Sequence, residues 1–184
     1  MRLGTALNIT TIATVLAGCV GKQPIQGTTA IAAGGATACP EPPQVPLGEW
    51  RHSWKSPGIA MGKVRHRGVD LVTSVDAEVQ PLRGEISYGD LDKALEDEGI
   101  DMFACKEGRW LRLGSAITDD EGLFELDLLG DGRLEEGLTS VYVSVVGDRT
   151  GVEFLALVLP SGGQLVVSDV DGTLTSSENA FPAA

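Results

Sequence analysis

Short runs with strand character follow one another between residues 64 and 159, most with apolar residues at every second position and the last, Val152–Leu159, almost wholly apolar. Val64–Val75 holds Val69-Asp-Leu-Val-Thr, and Gly84–Tyr88 reads Gly-Glu-Ile-Ser-Tyr. Ile100–Cys105, Arg109–Leu113, Leu123–Leu128, Thr139–Val146 and Val152–Leu159 follow. Turn-forming groups separate them: Glu107-Gly108, Asp119-Asp-Glu-Gly122, Gly130-Asp-Gly132 and Gly147-Asp-Arg-Thr-Gly151. Side chains of a strand alternate between faces, so a period of two predicts strands with one buried face each. Seven such strands in about 100 residues predict a mainly β chain built as an antiparallel β-sandwich over residues 50–159. Leu91–Glu98 is the single helical candidate, and it reads equally well as a turn-rich connection. Phe124 and Val143 are expected in the core.

The segment Thr118-Asp-Asp-Glu-Gly-Leu-Phe124, following the strand that carries Trp110, resembles the acidic-Gly turn of transthyretin-like, Ig-like sandwiches. That resemblance implies a fold and no activity. Trp50, Trp54 and Trp110 offer either an exposed platform or core packing, and core packing is the expectation.

Residues 1–18 carry Arg2 and then an apolar run without acids, ending in Leu16-Ala-Gly-Cys19. The order resembles the signal peptide and lipobox of bacterial lipoproteins, the other reading being an ordinary secretory signal with an incidental cysteine. The resemblance implies acylation of Cys19, anchorage to a lipid bilayer, and a place in the bacterial cell envelope. Val20 rather than Asp after the cysteine favours the outer membrane. Residues 19–49, rich in Gly, Ala, Thr and Pro and ending near Cys39-Pro-Glu-Pro-Pro43, are expected to be a tether. Cys39 and Cys105 are either bridged, as export would permit, or two separate thiols.

The chain has 14 Lys+Arg against 26 Asp+Glu, a net charge of −12 and an isoelectric point near 4.5. Binding to nucleic acid is excluded, because phosphate attraction needs a basic face. His52 and His66 are the only histidines, too few for a zinc site of the usual kind.

The last candidate lies in Gln164-Leu-Val-Val-Ser-Asp169-Val-Asp171-Gly172-Thr173-Leu-Thr. An apolar strand places two aspartates on one edge, where one carboxylate could attack phosphorus and the other move a proton. Gly172 would let a substrate approach the backbone closely. An acidic turn is the plain alternative. A calcium loop fits poorly, since Leu174 stands where a loop glycine should.

Asp-Val-Asp-Gly-Thr resembles the first motif of the haloacid-dehalogenase superfamily. The longer run through Ser176 and Glu178 is similar to lipin-type phosphatidate phosphatase domains, which also occur in some phosphatidylinositol-transfer proteins. Arg65-His-Arg-Gly and Thr118-Asp-Asp-Glu-Gly look like the N-terminal part of such a protein. The resemblance implies Asp169 as nucleophile and Mg²⁺ ligand, Asp171 as general acid/base with its backbone carbonyl on the metal, and Thr173 as loop support. Thirteen residues follow Asp171, too few for the rest of that fold, so residues 160–184 read as an incomplete first piece. The implied function is the N-terminal portion of an envelope-anchored, Mg²⁺-dependent phosphatase. Its substrate would be a phosphomonoester such as phosphatidate, and the 184 residues alone would be inactive. The alternative is a non-catalytic, lipid-anchored β-sandwich that binds or spaces.

Overall fold

In the computed structural model, which describes Cys39 and residues 41–165, the alternating runs form two facing sheets and a short ribbon. The chain runs through a five-residue helix α1 (Ser56–Ala60), β1 (Arg67–Val69), β2 (Leu71–Ser74), β3 (Val79–Glu85), β4 (Ser87–Tyr88) and β5 (Lys93–Ala94). It continues through β6 (Gly99–Lys106), β7 (Arg109–Ile117), β8 (Leu123–Leu129), β9 (Gly137–Val145) and β10 (Gly151–Leu159). One sheet has the order β1-β3-β8 and the other β2-β10-β9-β6-β7, while β4 and β5 pair as the ribbon. The architecture is the β-sandwich expected from the sequence, and no haloacid-dehalogenase-type domain is seen among the described residues.

Burial follows the pleat. Leu82, Phe124 and Leu128 from the smaller sheet meet Ile100, Met102, Val141, Val143, Phe154 and Ala156 from the larger. Each is at most 5% exposed, and full burial of such a side chain stabilises by roughly 1.5–3 kcal/mol. Two paired glycines let this core close. Gly68 of β1 faces Gly84 of β3, the ring of Phe154 lies against Gly68, and that of Phe124 against Gly84. A side chain at either position would collide with the aromatic ring.

The departures from simple alternation have local causes. Val64–Val75 is not one strand. The chain switches sheets at Asp70, whose carboxylate accepts the Leu155 N–H (2.8 Å), and β2 then joins β10. That pairing, Leu71↔Ala156 to Ser74↔Leu159, is parallel, so the sandwich is not wholly antiparallel. Strand β3 begins at Val79 and includes Pro81, which breaks a strand signal because it lacks an N–H. Proline is tolerated there because β1 reaches only to Arg83 in its pairing with β3. Leu91–Glu98 forms turns and the two residues of β5 rather than a helix, with Asp92 and Asp97 at positive φ. A bulge between Met102 and Phe103 shifts the β6–β7 register.

Residues 41–48, expected to belong to the tether, lie along the domain. Cys39 is bonded to Cys105 of β6, with Cα atoms 5.8 Å apart. Trp110 donates its indole N–H to Glu41 O (2.5 Å), Arg149 Nε donates to Pro46 O (2.7 Å), and Gly48 N–H donates to Val146 O (2.9 Å). The tryptophans divide: Trp50 packs on the core and against Gly147, Trp110 tilts against Tyr142, and Trp54 stands in solvent.

Candidate functional site

Cys19, Asp169, Asp171, Gly172 and Thr173 all lie outside the described residues. So does the Mg²⁺ site inferred for the aspartates. Among the described residues no group of three or more His, Cys, Asp or Glu is placed to hold a metal ion, and no helix is long and apolar enough to cross a membrane.

Three polar constellations are built by the sandwich itself. The first surrounds His66, just before β1. Its Nδ1–H donates to Ser87 O (3.1 Å), and Nε2 lies 2.9 Å from Thr150 Oγ1. Thr150 Oγ1 is also 2.8 Å from both Asp148 Oδ1 and the Tyr88 hydroxyl, which donates to Asp148 Oδ2 at 2.8 Å. Burial lowers the pKa of His66, outweighing the opposite pull of Asp148 and the Ser87 carbonyl. Burial also pushes the Tyr88 hydroxyl far above the usual phenol range. Neutral His66 accepts the Thr150 proton; protonated His66 donates to Thr150, which then donates to Asp148. Both states are satisfied, and the network locks the 147–151 turn to β4.

The second is Asp101 on the outer face of β6, 7% exposed. It accepts bonds from Ser115 Oγ (2.6 Å), Arg112 (2.8 Å) and Arg149 (2.7 Å). Burial alone would raise its pKa, but the bonds from Ser115, Arg112 and Arg149 together hold it below the ordinary carboxylate value. Arg149 also binds Pro46 O, so this cluster fastens residues 41–48 to the sheet.

The third lies where residues 50–63 meet the turns after β4. The buried Glu98 carboxylate, 1% exposed, accepts the backbone N–H groups of Arg51 (2.9 Å) and His52 (2.8 Å) and the Ser56 hydroxyl (2.6 Å). Around it run ion pairs at or near the surface, Arg51 with Asp97, Lys55 with Glu96, Arg65 with Asp90 and Arg67 with Asp92, and His52 Nε2 lies 2.9 Å from Asp97 Oδ2. Hydrogen bonds from His52 and Lys55 lower the pKa values of Asp97 and Glu96 respectively. Residues 51–68 contain Arg51, Lys55, Lys63, Arg65 and Arg67 and no acidic residue, in a chain of net charge −12. Arg65 Nε is a buried nitrogen with no hydrogen-bond acceptor among the described residues. The charge asymmetry of this segment was readable in the sequence, but composition taken over the whole chain hides it.

A groove of about 660 Å³ crosses the outer face of the β1-β3-β8 sheet. Val69, Ile117 and Leu123 supply its apolar surface. Arg67 and Arg83 border it, each already paired, with Glu85 (3.0 Å) and Glu125 (2.5 Å). Its lining carries two arginines, both paired, against the three carboxylates Glu85, Asp119 and Glu125, and offers no unpaired cation.

Two facing sheets with a clasped N-terminal segment and no metal cluster among the described residues define a β-sandwich domain whose polar groups serve its architecture. The comparisons make this specific. The family model for the beta-sandwich domain of PITM 1-3 matches residues 64–158, from the end of the basic segment through β10. The chain belongs to that family.

Membrane-associated phosphatidylinositol transfer protein 3 of Mus musculus is 31% identical over 139 residues, covering 73% of this chain and 14% of that protein. Membrane-associated phosphatidylinositol transfer protein 1 of Rattus norvegicus is 29% identical over 149 residues, 77% of this chain and 12% of the relative. Protein retinal degeneration B of Drosophila melanogaster is 29% identical over 139 residues, covering 73% and 11%. The chain thus spans roughly an eighth of the length of these relatives.

These matches overturn three expectations. The family is that of phosphatidylinositol transfer proteins, not lipin-type or other haloacid-dehalogenase phosphatases. The Mg²⁺-dependent phosphatase reading therefore falls: it rested on one short motif, whereas the match covers the folded strands. The bacterial outer-membrane lipoprotein assignment falls with it, since the relatives are membrane-associated proteins of animals.

Proposed function

We propose that this domain is a non-catalytic module that works against a phospholipid surface. The observation that carries the reading is the acid-free segment 51–68, which gathers five of the chain's 14 Lys and Arg in one stretch of an acidic chain. Elsewhere the negative charge repels anionic lipid. Here four of the five cations, Arg51, Lys55, Arg65 and Arg67, are paired with carboxylates at or near the surface; such pairs are weak, so a lipid phosphate can replace a carboxylate at little cost. The relatives' names, membrane association and phosphatidylinositol transfer, support the same reading. Acylation of Cys19 is the finer part of the proposal. It would hold the domain at the bilayer, and mass spectrometry of the protein should find the acyl chain on that cysteine.

The test is flotation of the full chain carrying Cys19→Ser, so that no acyl chain contributes. Vesicles of phosphatidylcholine alone and with phosphatidylserine are compared. Binding should rise with phosphatidylserine, fall with salt, and weaken in Lys63→Glu/Arg65→Glu. Absence of flotation with either composition refutes the reading.

A further inference from the structure

The largest solvent-exposed apolar side chains of the described residues gather beside the basic segment. Leu91 is 93% exposed, Met61 89% and Trp54 85%. No other apolar side chain as large as a valine or larger exceeds 71% exposure. They sit on two adjoining stretches of chain. Gly62 lies against Gly89, with Gly89 N–H donating to Lys63 O (2.7 Å), and an isolated bridge joins Val64 to Tyr88. At the other end of the same contact Lys55 reaches Glu96 (2.7 Å), which Lys93 also binds (3.3 Å). Trp54 and Met61 thus belong to one of the two adjoining stretches and Leu91 to the other, two residues beyond Gly89.

Neither the core nor the sheets ask for these side chains where they are. Trp54 makes no hydrogen bond and no ring contact among the described residues. Lys55, Lys63 and Lys93 lie on the same two stretches of chain, Lys55 and Lys93 sharing Glu96, and their stems can lie along apolar surface while the ammonium stays in water. A tryptophan, an aliphatic residue and a methionine on stretches that also carry three lysines match the layering of a bilayer interface, although Leu91 stands between Asp90 and Asp92. The indole sits at headgroup depth, the aliphatic groups lie below it, and the ammonium groups lie level with phosphate. A soluble protein partner would need a larger flat patch than two short turns present.

We propose that Trp54, Met61 and Leu91 insert into a phospholipid monolayer, with Lys55, Lys63 and Lys93 at the phosphate level. This rests on the membrane reading above and names its contact. The tip is held in place by Glu98, which binds the turn carrying Trp54 through Arg51, His52 and Ser56.

The experiment uses the full chain with Cys19→Ser and vesicles of phosphatidylcholine and phosphatidylserine, in which part of the phosphatidylcholine carries brominated acyl chains. Tryptophan fluorescence should be quenched and blue-shifted on binding. Trp54→Phe should abolish the quenching, because Trp50 and Trp110 are held on the domain. Met61→Glu and Leu91→Glu should each weaken vesicle binding at least tenfold with thermal stability unchanged. Two results overturn the inference. One is quenching that persists in Trp54→Phe. The other is a Trp54→Ala/Met61→Ala/Leu91→Ala protein that floats as well as the parent. In either case flotation of the parent leaves the membrane reading standing, whereas a parent that never floats removes both.

Discussion

The N-terminal segment meets the sandwich in two places, and they are built differently. Cys39 and residues 41–48 are fastened by a covalent bond to β6, by a tryptophan donor, and by an arginine that also closes on the buried Asp101. Residues 50–63 are fastened by a single buried carboxylate, Glu98, and by ion pairs at or near the surface. The first contact fixes a position. The second fixes a turn but leaves its charges exchangeable, so the surface that faces a partner can trade carboxylates for phosphates without unfolding anything.

The sharpest way to test that difference is to cut the first fastening. Cys105→Ser should cost about 2–4 kcal/mol, because the bond closes a loop of 66 residues in the unfolded chain. Denaturant titration of oxidised protein against the variant measures it. A loss of less than about 1 kcal/mol would show that residues 41–48 are held by the polar contacts alone.

The next effect belongs to the second fastening. Glu98→Ala should cost about 2–3 kcal/mol by stranding three donors, and Glu98→Gln less, since its carbonyl oxygen still accepts. Equal losses from both would mean that the negative charge, not the acceptors, holds the turn.

Acid separates the buried networks. His66 has a folded pKa below its ordinary 6.5, so its share of stability is complete above pH 6.5 and is lost as pH falls toward the folded value. Asp101 has a folded pKa below 3.8, so its share persists above 3.8 and disappears only as pH drops through the folded value. Thermal melts should therefore show two limbs. His66→Gln should flatten the one below pH 6.5, and Asp101→Asn the one below 3.8. If both limbs survive both substitutions, the pH dependence comes from other groups.

The smallest effect is expected at the exposed pairs. Lys55→Gln should leave the melting temperature unchanged, because the Lys55–Glu96 pair is partly exposed to water and Glu96 keeps Lys93 as a partner. The variant should nevertheless bind anionic vesicles more weakly, a change seen in flotation at low salt.

Much of the sandwich was legible because β8 and the Val141-Tyr-Val-Ser-Val145 run of β9 alternate, and β6 to β10 end in turns with acidic or glycine residues. Asp119 illustrates the rule, its carboxylate accepting the N–H groups of Glu121 and Leu123 while Gly122 takes positive φ. What failed to show had physical reasons. Pro81 masked the first half of β3, and Asp70 ended one strand and began another without a gap in apolarity. Residues 41–48 look like a tether because their composition is that of one. Their order comes from partners far along the chain, Cys105, Trp110 and Arg149, which no local pattern announces.

Trp54 was expected in the core from its residue type, yet it lies at a turn set by Glu98, where no core reaches. The Asp-Val-Asp-Gly-Thr motif pointed to a phosphatase. It is a few residues long and outside the described region, so it could not outweigh a match that runs through the strands themselves.

Strand β2 lies at the edge of the larger sheet and has β10 as its only neighbour there, with Leu71 opposite Ala156. Closing that pair demands a loop of more than eighty residues, and such long-range closures are slow steps in folding. On a ribosome the hydrogen-bonding edge of β2 therefore has no native neighbour until residue 159 has left the exit tunnel. Synthesis of the last strand sets the earliest moment at which this sheet can be complete.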